Sequence, residues 1–99
     1  MSKTEKLKTE ITEAIRKIET LNENNKFEVY SIYSNIYKKC TDMNREDFKS
    51  EIEFDKHCSD VKSKYNTIQL ELSNLQNPNS MVDVQSNFAQ IKISLHNLI

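Results

Sequence analysis

Residues 81–98 read MVDVQSNFAQIKISLHNL, and their apolar positions Met81, Val84, Phe88, Ile91, Leu95 and Leu98 advance by alternating steps of three and four. Such steps fall on one line of a helix with 3.6 residues per turn, whereas a half-buried strand needs strict alternation. Asp83 and Lys92 are the only charges in the segment, and its other face is serine, asparagine and glutamine. The spacing predicts a helix over 81–99 with an unbroken apolar seam.

Upstream, Gln76-Asn77-Pro78-Asn79-Ser80 is the clearest boundary in the chain. Pro78 biases Asn77 away from helical backbone, and Ser80 followed by Asp83 is a shortened capping-box pattern. Before it, Phe54, Cys58, Val61, Tyr65, Ile68, Leu72 and Leu75 form a stripe, with Phe48 and Ile52 in a shifted phase. This predicts the longest helix, from about Arg45 to Gln76, bent near Ile52 to Phe54 and overhanging its neighbours. Asn44, with Asp47 three residues on, supplies an N-cap for it.

Two further helical stripes precede these. The first is Leu7, Ile11, Ala14, Ile18 and Leu21, widened by Ile15 and capped by Ser2 or Thr4. The second is Val29, Ile32, Tyr33, Ile36, Cys40 and Met43, with Phe27, Tyr30 and Tyr37 beside it. From Ile32 round to Tyr30 these positions cover about 160° of the helix, wider than one packing neighbour requires. Between them, Asn22-Glu23-Asn24-Asn25 favours a corner, because asparagine competes with helix by hydrogen-bonding locally. A turn is expected at Thr41 to Asn44.

The fold class is therefore all-α: an antiparallel bundle of four helices, or three if the first two are continuous, elongated by the long third helix. Ninety-nine residues make one domain, 1–99. The chain contains no glycine. That removes the glycine loops that hold nucleotide phosphates, the tight primed hairpins and the nucleophile elbows together.

Charge is balanced, with 14 basic and 15 acidic residues, so no electrostatic footprint for nucleic acid appears. No stretch approaches the ~20 apolar residues that span a bilayer, and residues 1–10 lack the apolar run of a signal peptide. Two cysteines without such a signal predict free thiols and a cytoplasmic location.

Candidate chemistry is sparse. Glu53, His57 and Asp60 share a helix face, but one carboxylate–histidine face is short of a di-iron bundle signature, which needs two histidine motifs and further glutamates. His57 is expected on a solvated charged face, and Cys40 and Cys58 as small buried hydrophobes. No catalytic, cofactor or metal residues are assigned, and the chain is not expected to be an enzyme. Tyr30, Tyr33 and Tyr37, flanked by Lys26, Lys38 and Lys39, form the candidate partner-binding ridge, since tyrosine buries a large ring while its hydroxyl stays wet.

The expected function is a non-catalytic protein-interaction module, a small subunit, adaptor or inhibitor, with a protein partner or self-association. A nucleic-acid-associated helical protein is the alternative, and a bundle metalloprotein a weaker one.

Overall fold

Every corner in the described chain is made without a single residue at positive φ. The computed structural model describes residues 2–77 and 83–98, and among these it contains four α-helices and no strand. They are α1 (Lys3–Glu19), α2 (Glu28–Thr41), α3 (Glu51–Gln76) and α4 (Val84–His96), with a 3-10 turn at Arg45–Asp47. No described helix is long and apolar enough to cross a membrane.

Side chains of the flanking residues start three of these helices. Ser2 accepts the Glu5 N–H, Ser50 accepts the Glu53 N–H, and Asp83 accepts the Ser86 N–H at 2.8 Å. Each satisfies one of the amides left free in a first turn. The asparagine run between α1 and α2 folds as anticipated. The Asn25 side chain accepts the Asn22 N–H at 2.7 Å, and the Asn22 side chain accepts the Asn24 N–H at 2.8 Å. These locally satisfied amides end α1, so the first two helices are separate and the bundle has four members.

The third helix begins later than the sequence suggests. Asp47 turns back to accept the Asn44 N–H at 2.8 Å, closing the short 3-10 turn. Phe48 is extended, and Ser50 then caps α3 at Glu51. The shift of phase between Phe48 and Phe54 marks this break rather than a bend in a continuous helix. Phe48 lies outside the helix with its ring 5.7 Å from that of Phe54, while Ile52 is 81% exposed. At the far end of α3, Leu72 and Leu75 are buried.

Each helix packs on the next, and α4 returns to α1. Contacts between opposite ends fix the directions. Lys3 at the start of α1 donates to the Asp42 carbonyl just past α2, and Tyr30 near the start of α2 donates to the Leu72 carbonyl late in α3. Asn87 early in α4 donates to Glu71, also late in α3. The topology is up-down-up-down, in an envelope of 44 × 23 × 17 Å. Its core gathers one stripe from every helix, including Ile11, Ile18, Val29, Ile68, Phe88, Ile91 and Leu95.

The seam of α4 is buried at Val84, Phe88, Ile91, Leu95 and, just past the helix, Leu98. The expectations for Pro78, Ser80, Met81 and Ile99 lie outside the described residues. Asp83 caps α4.

Candidate functional site

The tyrosine ridge of α2 faces α3. Tyr33 is 4% exposed, and burial, with Cys40, Tyr37 and Tyr65 nearby, pushes its phenol well above the usual range. Tyr37 is half-buried, with its ring centroid 4.7 Å from that of Tyr65. Tyr30 is half-buried too, and its hydroxyl donates to the Leu72 carbonyl at 2.7 Å. Among the flanking lysines, Lys39 pairs with Glu10 across to α1, while Lys26 pairs with Glu23 and lies over the Phe27 ring. Lys38 is exposed. Much of the extra apolar width of α2 is thus taken up by α3, with Tyr33 as a core residue.

Two neighbouring residues exchange their expected environments. His57 is buried and Cys58 is exposed. The His57 Nε2 lies 3.0 Å from the Cys40 carbonyl, and its ring packs 4.9 Å from that of Phe48. A carbonyl can only accept, so Nε2 carries the hydrogen and donates it. Cys40 belongs to the last turn of α2, where carbonyls lack intrahelical partners. An imidazole from the neighbouring helix supplies what a C-terminal cap would otherwise provide, and this contact explains why the histidine is inside.

Cys40 is buried as expected, and burial pushes its thiol up to about 11. Both cysteines are free.

The Glu53, His57 and Asp60 face does not assemble into a metal centre. Asp60 pairs instead with Lys56 at 2.9 Å, and no group of three or more potential ligands is placed to hold a metal among the described residues. His57 and Asp60 border a cavity of about 370 Å³ between the start of α1, the 3-10 turn, α3 and the end of α4. Lysines and carboxylates alternate around it, so it has no net sign to select an ion.

Two surface features are better defined. A groove of about 590 Å³ opens between the end of α2 and the first half of α3. Tyr37, Met43, Phe54, Val61 and Tyr65 wall it, Cys40 and His57 lie at its base, and Cys58 and Lys62 stand on its α3 side.

The second feature is the outward side of the second half of α3 and of α4. Residues 66–99 contain only Glu71, Asp83 and Lys92 as charges, against 26 charged residues in 1–65. Exposed Leu70 and Ile93 stand on this part of the surface, 62% and 53% accessible, among exposed Asn66, Thr67, Ser86 and Gln90. Comparing halves of the chain hides this asymmetry, because α3 begins with a dense run of charges. A charge count in a window sliding along the chain would have found it, since seven of the eight charges of α3 precede residue 66.

Comparison with protein-family models, curated proteins and solved structures finds no match. The class these observations define is a small antiparallel four-helix bundle with one charge-depleted side and one aromatic groove.

Proposed function

We propose that this chain is a non-catalytic interaction module that binds another protein through the outward faces of α3 and α4. The observation that supports this reading is the exposure of Leu70 and Ile93 on a surface almost free of charge. Interface centres are depleted in charged side chains, because an ion covered by a partner loses its hydration. Elsewhere on the bundle, lysines and carboxylates pair across the surface and would have to be desolvated together. The aromatic residues between α2 and α3 then serve stability more than partner contact. Free thiols suit a reducing compartment, the cytoplasm by default.

Leu70→Lys with Ile93→Lys tests the reading. Both side chains are exposed, so melting should stay within a few degrees. Capture of the partner from host extract by the tagged wild type should be lost in the double variant. Unchanged capture by a folded double variant would place the interface elsewhere. Self-association is the second reading on the same face. Light scattering after size exclusion decides it, showing a dimer for wild type that becomes a monomer in the variant.

A further inference from the structure

The groove between α2 and α3 differs in chemistry from the α3/α4 surface, which it meets at Asn66, and neither Leu70 nor Ile93 lines it. Aromatic and aliphatic side chains wall it, and its volume of about 590 Å³ lies within the range of small-molecule sites. Its charge is one-sided. In a chain with 15 acidic residues, no carboxylate lines this groove, and Lys62 is its one formally charged lining residue. Lys62 is exposed and, like eight of the other basic residues, has no ion-pair partner among the described residues. At the base the His57 Nε2–H is already donated to the Cys40 carbonyl. Besides apolar contact, the groove offers an entering group the Asn66 amide and, at its lip, a single cation, Lys62.

We infer that this groove is a binding site for a single-chain amphiphilic carboxylate, with its apolar chain laid along the Tyr37–Tyr65 ring pair toward Phe54 and its head at Lys62. An apolar chain displaces water from the half-buried faces of these rings, and the head finds a cation with no competing acid. A cationic amphiphile would gain the same apolar contact and meet repulsion at the lip. A small carboxylate without a chain would have only an exposed lysine to hold it, which is worth little in water.

The full chain carries its own reporter for this site. Cys58 lines the groove and is exposed, whereas Cys40 is buried. A thiol reagent such as DTNB, used at about pH 8, reads the exposed thiol alone. Its rate is followed with dodecanoate, dodecyltrimethylammonium and acetate, each below micelle-forming concentration.

Dodecanoate should slow the reaction saturably and acetate should leave it unchanged. Dodecyltrimethylammonium should bind about three- to fivefold more weakly than dodecanoate, the scale of one exposed charge contact. In Lys62→Glu, with the fold checked by circular dichroism, the order of the two amphiphiles should reverse. If that variant does not fold, Lys62→Gln replaces it and should make the two bind alike. Absence of protection by dodecanoate, or protection with the same head preference in the Lys62 variant, overturns the inference. Leu70→Lys with Ile93→Lys should not change the protection, so this result is separable from the protein-partner reading.

Discussion

His57 and Cys58 are adjacent in the chain and opposite in fate, which shows what decides burial of a polar side chain. A stripe drawn through Phe54, Cys58 and Val61 treats the thiol as the better core residue. The bundle instead takes its inward line through His57, Val61, Ile68, Leu72 and Leu75. The imidazole is tolerated there because the Cys40 carbonyl, in the last turn of α2, meets its N–H at 3.0 Å. Burial costs a polar group little once its hydrogen bond is made, and much if it is not. No spacing rule in the sequence reveals which carbonyl will stand opposite. Tyr30 repeats the pattern, with its hydroxyl on the Leu72 carbonyl.

Buried ionisable side chains also set an alkaline limit. The Cys40 thiol is raised from 9.0 to about 11, and the Tyr30 and Tyr33 phenols are raised from 10.0, all mainly by burial. A raised folded-state pKa means that the unfolded chain loses its proton first. The stabilisation is therefore complete below pH 9 and declines as pH rises toward 11. Urea midpoints should fall across that interval, with Cys40 accounting for on the order of 2 kcal/mol. Cys40→Ala should flatten the part of the decline below pH 10; an unchanged slope in that variant would assign it to other groups.

At the scale of elements, α4 was legible from its spacing alone. Five seam positions, from Val84 to Leu98, are buried where the steps of three and four place them. The corner at Asn22 to Asn25 was legible too, because asparagine side chains close it with bonds to nearby amides. The start of α3 was not. Asn44 and Asp47 do form a capping contact, but it closes a 3-10 turn, and a second cap at Ser50 starts the helix. Two capping signals within one helical pattern compete, and sequence alone does not rank them. Tyr30, Tyr33 and Tyr37 lie along α2 as their spacing places them, and they face α3. That neighbour was the missing information, because stripe width does not tell a second packing helix from a partner protein.

The packing of α4 gives a direct contrast between inward and outward residues. Phe88, 1% exposed, should cost about 3–4 kcal/mol on truncation to alanine, as an emptied core site does. Ile93→Ala on the opposite face of the same helix should change stability by about 0.5 kcal/mol or less. Chemical denaturation of the two variants measures both. Comparable losses would mean that the exposed face of α4 also contributes to the fold.

At the scale of the whole molecule, balanced net charge and a missing glycine select no activity. What the bundle adds is spatial. The second half of α3 packs on α4, which brings two nearly charge-free stretches together, and seven of the eight aromatic residues lie outside α4. Neither grouping depends on a motif, and both become readable once the helices have been assigned positions around a common core.

The order in which the helices meet also has a kinetic consequence. α1 packs on α2, α2 on α3 and α3 on α4, so three of the four seams join consecutive segments, and only the α1–α4 seam closes across the chain. The entropy lost in closing such short loops is small, and chains dominated by local contacts refold in roughly microseconds to milliseconds. Stopped-flow dilution from urea should therefore find most of the helical signal recovered within its dead time or a few milliseconds after it. A dominant phase lasting seconds would show that closing α4 onto α1, rather than making the three hairpins, governs how quickly a newly made copy reaches its working form.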